Sequence, residues 1–196
     1  MDDNKKKIAF IINPISGTQG KEHILKWLDE KLDKNRYMPE VIYTEWAGHA
    51  VEIASRKAKE EVFAVVAIGG DGTINEIARS LVHTKTALGI IPCGSGNGLA
   101  RHLQIPMEAK KAIDIINEGL IDIIDYGKIN DVPFFCTCGV GFDAFVSLQF
   151  SKAGRRGPLI YLEKTLLESL KYKPETYELE MDGSTSRYKA FLIACG

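Results

Sequence analysis

Two short segments carry residues whose types and spacing suit phosphate chemistry: Gly69-Gly70-Asp71-Gly72-Thr73 and Gly94-Ser95-Gly96-Asn97-Gly98. Seven of the 18 glycines, at 69, 70, 72, 89, 94, 96 and 98, fall in this one stretch of chain. Glycine lets backbone approach a ligand closely and adopt positive φ, so that successive N–H groups can converge on one anion. Thr73 and Ser95 add hydroxyl donors for the same phosphate. Asp71 has the opposite sense, since a carboxylate among phosphate-binding amides disfavours simple anion binding. It suits a residue that handles a metal-bound water or takes the proton of an attacking hydroxyl. The alternative is a cap for a helix beginning near Thr73. A third segment, Asn13-Pro14-Ile15-Ser16-Gly17, is by itself an ordinary turn signal. Three polar, glycine-bearing segments on one sheet edge describe a phosphate-rich ligand, most simply a nucleoside triphosphate. The chain has no G-x-x-x-x-G-K-[ST] and no G-x-G-x-x-G after its first strand, which argues against a Walker-type loop and a standard dinucleotide fold.

The segments need a scaffold that brings them together, and the hydrophobic pattern predicts one. Residues 7–13 are a compact apolar run suited to a strand buried on both faces, and 37–46, 62–68 and 88–91 also read as strands. Between them, residues 21–34, 50–61 and 73–82 carry apolar side chains at helical spacing, and 99–102 and 107–117 also read as helix. This βαβαβαβ order predicts a parallel sheet with helices on both faces, and each glycine-bearing segment then lies where a strand ends and a helix begins. Ligands bind at that edge of such sheets, and the following helix adds N-terminal donors and partial positive charge.

After about residue 120 the pattern changes. Residues 121–130 and 132–139 read as strands joined at Asn130-Asp131, 142–150 and 159–171 as helices, and 176–181 with 187–194 as a hairpin around Asp182-Gly183. The expected organisation is an α/β nucleotide-binding domain over 1–120 and the first part of a β-rich second domain over 121–196, incomplete at its end. A hairpin without partners is marginal, and an unpaired terminal strand invites pairing with a second copy of the chain.

Composition narrows the function classes. With 45% hydrophobic residues over 196 positions the chain can fill a core, which excludes disordered and fibrous classes. The formal net charge of −1 provides no global attraction for nucleic acid. The longest apolar run, residues 62–68, is far short of the roughly 18 needed to span a bilayer. No signal-peptide apolar region follows the charged N-terminus, so a cytoplasmic location is expected. Cys93, Cys136, Cys138 and Cys195 lack metal-ligand spacing and are expected to be buried free thiols.

Taken together, Asn13-Pro14 with Ser16-Gly17, Gly69-Gly70-Asp71-Gly72-Thr73-Ile74-Asn75-Glu76, and Pro92-Cys93-Gly94-Ser95-Gly96-Asn97 resemble the diacylglycerol kinase catalytic domain family, which includes sphingosine and ceramide kinases. Gly139-Val140-Gly141-Phe142-Asp143-Ala144 resembles the family's substrate-side segment, so the likeness runs through the whole chain. GGDGT alone is less specific, because NAD kinases and phosphofructokinases carry similar loops.

The resemblance implies an α/β domain of the NAD kinase and phosphofructokinase kind, a β-sandwich after it, and an active site in the cleft between them. The implied reaction is transfer of the γ-phosphoryl group of ATP, with Mg2+, to a lipid hydroxyl at a membrane surface. By position, Asn13, Ser16, Thr44, Gly70, Asp71, Gly72, Thr73, Asn75, Glu76, Gly94, Ser95 and Asn97 would serve the nucleotide. Asp71 would be the base or would organise metal and water, and Asp143 would face the lipid head group. Gly98 stands where bacterial diacylglycerol kinases usually carry Asp, a sphingosine kinase trait, whereas Phe142-Asp143-Ala144 looks like the bacterial diacylglycerol kinases. The acceptor is left open between diacylglycerol and a sphingoid or related lipid, and the alternatives to a lipid kinase are a soluble-substrate kinase related to NAD kinase or a non-catalytic nucleotide-binding module.

Two residues have ordinary alternatives: Glu76 suits the first turn of any helix, and Asp143 suits an N-cap. The basic cluster Lys152, Arg155 and Arg156 is either a solvated loop or a contact for an anionic membrane surface.

Overall fold

Ile8, Ala9, Phe10, Ile11 and Ile12 are each 2% exposed or less, and a strand so apolar on both sides has to be covered on both. In the computed structural model, which describes residues 5–14, 21–152 (149–152 as backbone) and 172–196, strand β1 (Lys6–Ile12) is central. It pairs in parallel with β2 (Tyr37–Tyr43) on one side and β3 (Ala64–Gly69) on the other; β4 (Ala87–Pro92) lies outside β3.

The two-residue period of the strands sorts their side chains to two cores. Phe10, Ile12, Val66 and Ile68 pack with Ile24 and Leu28 of α1 (Glu22–Lys31) and Ile113 of α5 (Ala109–Glu118). Ala9, Ile11, Val65 and Ala67 face the other way, onto Ile53 of α2 (His49–Lys59), Ile77 of α3 (Asp71–Leu81) and Leu99 of the short α4 (Gly98–His102). The expected α/β fold with helices on both faces is present, with small antiparallel sheets in the later part of the chain.

The strand order β2-β1-β3-β4 means that the chain builds outward from β1 in one direction and then in the other. The switch falls between β1 and β3, where the connections diverge and leave a crevice at the carboxyl ends of the strands. Asn13 and Gly69 sit at those two ends.

Local boundaries depart from expectation where local chemistry overrides the apolar pattern. Helix α3 starts at Asp71, two residues ahead of Thr73. Of residues 121–130 only Gly127–Ile129 is a strand, β5; Ile123, two residues into the stretch, is fully exposed. β5 pairs with β6 (Val132–Phe134) around Asn130 and Asp131, both at positive φ as tight hairpin turns require. Residues 132–139 do not form one strand, because Cys136 at φ 90 breaks the run before β7 (Cys138–Gly141).

The chain divides into two compact units, 1–136 and 137–196. The second holds β7, α6 (Phe142–Lys152), and the expected hairpin, β8 (Glu175–Met181) with β9 (Ser184–Ala190), turning at Asp182 and Gly183 with φ 51 and 76. The run expected over 187–194 divides after Ala190. Its second half, β10 (Leu192–Cys195), leaves the hairpin and pairs antiparallel with β7. The helix expected over 159–171 and the basic residues Arg155 and Arg156 lie outside the described residues. Among the described residues no helix is long and apolar enough to cross a membrane. The four cysteines are free, but none is buried: three are partly covered and Cys195 is exposed, since among the described residues β7 and β10 pair only with each other.

Candidate active site

Register brings the glycine-bearing loops together. Ile12 lies opposite Ile68, and Gly69 opposite Pro92, so the chain leaves β1, β3 and β4 at neighbouring points of one edge. Main-chain bonds carry the pairing a step further: Asn13 N–H donates to the Ile68 carbonyl at 3.4 Å, and Cys93 N–H to the Gly69 carbonyl at 2.8 Å.

Across the switch-point crevice, Asn13 Nδ2 donates to Thr73 Oγ1 at 3.3 Å. Thr73 is buried, and a Cβ on Gly69 would lie 2.7 Å from its side chain, so Gly69 makes the room that Thr73 fills. With its oxygen accepting from Asn13, the Thr73 hydroxyl keeps its own hydrogen for another acceptor.

The second and third loops are joined through Asp71. Its Oδ2 accepts the Asn97 N–H at 2.7 Å and its Oδ1 the Gly98 N–H at 2.6 Å. The carboxylate therefore caps the start of α4, rather than the start of its own helix, whose N-cap Gly70 has no side-chain hydrogen bond. Two amides occupy two of the roughly four acceptor positions of a carboxylate and leave the others open to solvent-side chemistry.

Much of the glycine content serves this junction. A Cβ on Gly94 would meet the Gly70 Cα at 2.7 Å and Asn97 Oδ1 at 2.9 Å, and one on Gly96 would meet Asp71 Oδ2 at 2.7 Å. Gly72 is different: a Cβ there would meet nothing within 4 Å among the described residues, so their packing does not require glycine at the first turn of α3. Among the described residues no side chain caps the N–H groups at this end of α3.

Asn97 is turned inward. It is buried, holds the left-handed conformation at φ 54, and accepts from Gly94 N–H at 2.9 Å while donating to the Gly94 carbonyl at 2.7 Å. Its side chain closes the loop on itself. Ser95 and Gly96 remain exposed at the tip. Arg101 supports the tip from outside, donating from Nε to the Gly96 carbonyl at 2.8 Å. Thr44 follows β2, buried, with its N–H on the Ile12 carbonyl at 2.8 Å. Asn75 and Glu76 are half-buried in the second turn of α3. Ser16 lies outside the described residues.

In the second unit, Asp143 is exposed in the first turn of α6, with Oδ1 accepting the Ala144 N–H at 2.8 Å. It lines an open groove of about 590 Å³ with Thr137, Cys138, Gly139, Ser147 and Ala194.

Two residues near the first site escaped sequence reasoning. Arg101 is the loop support just described; its only signal was its place one turn after the glycines. Lys21, just ahead of α1, is 9% exposed, and burial lowers its pKa against the opposing influence of Cys93. Burial in turn raises the Cys93 thiol, opposed by Lys21. A lysine opening an amphipathic helix carries no mark of burial in the sequence.

A parallel sheet with a switch point between β1 and β3, its strand ends linked through Asn13, Thr73, Asp71 and Asn97, defines an open α/β domain. Residues 7–129 match the model of the diacylglycerol kinase catalytic domain, and the chain belongs to that family. It is 30% identical over 196 residues to a diacylglycerol kinase of Staphylococcus saprophyticus, covering 98% of this chain and 64% of that protein. It is 31% identical over 199 residues to a diacylglycerol kinase of Staphylococcus aureus, covering 98% and 62%. A crystal structure of a diacylglycerol kinase from Bacillus anthracis superposes with a TM-score of 0.71 at 23% identity, over 96% of this chain and 65% of that one. The chain thus spans somewhat less than two thirds of the length of these relatives.

Proposed function

We propose that this chain is the nucleotide-binding part, with the beginning of the acceptor part, of an ATP-dependent lipid kinase. The observation that carries the reading is the linkage of three strand ends into one edge, Asn13 to Thr73 and Asp71 to Asn97 and Gly98. The triphosphate of ATP lies along this edge, over the N–H groups at Gly72 and Thr73 and the exposed tip at Ser95. Thr73 donates its hydroxyl hydrogen to a phosphate oxygen, held in that direction by Asn13. Thr44, Asn75 and Glu76 border the nucleotide.

Asp71 holds the two loops at fixed separation and presents its remaining acceptor positions toward the phosphates. There it orients water, or takes the proton released by the attacking hydroxyl. Asp71 would hold a water of a Mg2+ ion bound with the nucleotide, and that ion would supply neutralisation of charge on the phosphate oxygens. Asp143 and its groove serve the head group of the acceptor, a diacylglycerol or a sphingoid or related lipid, which the protein meets as a peripheral visitor to the membrane surface from the cytoplasm.

The test uses γ-labelled ATP, Mg2+ and a mixed lipid extract, followed by partition into organic solvent, with the protein and its Asp71→Asn variant. Label in the organic phase that depends on Asp71 supports the reading, and chromatography names the acceptor. Phosphate appearing instead on a water-soluble dinucleotide would replace it with a soluble-substrate kinase.

A further inference from the structure

Cys138 and Cys195 are partners in the register of β7 and β10, directly opposite each other across an antiparallel pair. Opposed residues of such a pair project to the same face, with Cα atoms about 4.5–5.5 Å apart. That interval lies within the roughly 4.4–6.8 Å that a disulfide spans, so a bridge forms here without moving the strands apart or re-registering them. Cys195 is exposed and Cys138 half-exposed, so a small oxidant reaches the pair from solvent. The Cys138 thiol holds its proton more tightly than an ordinary cysteine, chiefly through partial burial and next through the Cys195 thiol beside it. Among the described residues, Cys93 and Cys136 have no cysteine opposite them in a strand pairing.

We propose that Cys138 and Cys195 form a redox-sensitive pair, closed to a disulfide by peroxide and reopened by thiol reductants. In the first step the exposed Cys195 sulfur attacks one peroxide oxygen; the O–O bond breaks, and the leaving hydroxide takes up a proton as water. In the second, the Cys138 sulfur attacks the resulting sulfenic sulfur; the S–S bond forms, the S–O bond breaks, and hydroxide leaves with the Cys138 proton as a second water. Two thiols are oxidised by two electrons and one peroxide is reduced to two waters. The second step is intramolecular, because Cys138 is already opposite its partner in the register of β7 and β10. Because Cys138 also lines the groove that holds Asp143, closure stiffens one wall of that groove and removes a thiol from it. The inference stands on the strand register and is independent of the proposed phosphoryl transfer.

Peptide mapping tests it. The protein is treated with hydrogen peroxide, blocked with an alkylating reagent, digested without reductant and examined by mass spectrometry. The expected product is one cross-linked peptide pair containing Cys138 and Cys195 from a monomeric chain, lost after dithiothreitol, while Cys93 and Cys136 stay alkylated. In Cys195→Ser, Cys138 should remain alkylated at the same peroxide dose. Cys195 recovered as sulfinic acid beside an alkylated Cys138, or in a bridge between two chains, overturns the proposal. The map of the unmutated protein decides the matter even where the serine variant folds poorly.

Discussion

The Asp71 carboxylate accepts the N–H of Asn97 at 2.7 Å, so the acid of the segment after β3 is the cap of the segment after β4. With Gly98 on its other oxygen, Asp71 sets the spacing between the segments that follow β3 and β4. Asp71→Asn keeps the size but replaces one oxygen with an NH2 group facing an N–H. Such a mismatch at charge-assisted bonds costs about 1–3 kcal/mol of stability. Losing a group that handles a transferred proton or a metal-bound water should lower turnover roughly 100-fold or more. Thermal unfolding and labelled-phosphate transfer measure the two losses separately; a variant with wild-type turnover would remove Asp71 from the chemistry.

The glycines of the two loops should respond to alanine in opposite directions. At Gly94 a methyl group meets the Gly70 backbone at 2.7 Å, an obstruction no rotamer change relieves, and overpacking of this kind costs typically 1–3 kcal/mol. At Gly72 the methyl meets nothing and the residue is helical, so alanine should stabilise by about 0.5–1 kcal/mol. The same methyl would stand where phosphate is proposed to lie, and MgATP binding by Gly72→Ala should weaken. Paired melting curves and nucleotide titrations decide this. If Gly72→Ala binds nucleotide as well as the parent does, the phosphates do not cross that turn.

Asn97 combines a left-handed backbone with two side-chain bonds to Gly94. Asn97→Ala loses both bonds and places a Cβ residue without a polar partner at positive φ, and about 2–4 kcal/mol of stability should go with it. Asn97→Gly relieves the backbone term alone and should recover part of the loss. Equal destabilisation by the two variants in urea titrations would show that the backbone conformation contributes nothing.

Away from the site, buried Lys57 bonds Glu40 and Glu60, each at 2.8 Å. Burial pulls its pKa down, yet the hydrogen bonds and charges of the two carboxylates outweigh burial and leave it above its ordinary 10.5. Its contribution to stability is therefore complete below pH 10.5 and is lost as pH rises through the raised value. Glu60 is shifted the other way, chiefly by the Lys57 hydrogen bond; its contribution is present above its ordinary 4.5 and fades as pH falls through the lowered value. In Lys57→Met both limbs of the stability profile should flatten, as read from urea midpoints at a series of pH values. An unchanged alkaline limb would show that the ion pairs do not link folding to pH.

The alternation of strands and helices was legible along the chain because each element advertises itself locally. Ile8 to Ile12 are apolar without interruption, Ile24 and Leu28 recur at helical spacing, and Asn130-Asp131 and Asp182-Gly183 favour the positive φ that tight turns need. The same local logic failed at 121–130 and 132–139, where apolar composition alone promised longer strands than the backbone forms; Cys136 at φ 90 interrupts the second.

The amino-acid sequence by itself determined the α/β class, the placement of glycine and acid at strand ends, and the turns, all set by residues within a few positions of one another. Tertiary structure decided the strand order around β1, which makes the crevice, and the transfer of β10 from its hairpin to β7. It also decided what the conspicuous residues do. Asp71 finds its amides 26 and 27 residues away, Asn97 turns inward, and Gly94 and Gly96 make room for a neighbouring loop, whereas Gly72 faces open space. Glycine content and a carboxylate look alike in sequence whether they serve a ligand or another loop. Only packing between segments distant in the chain separates the two.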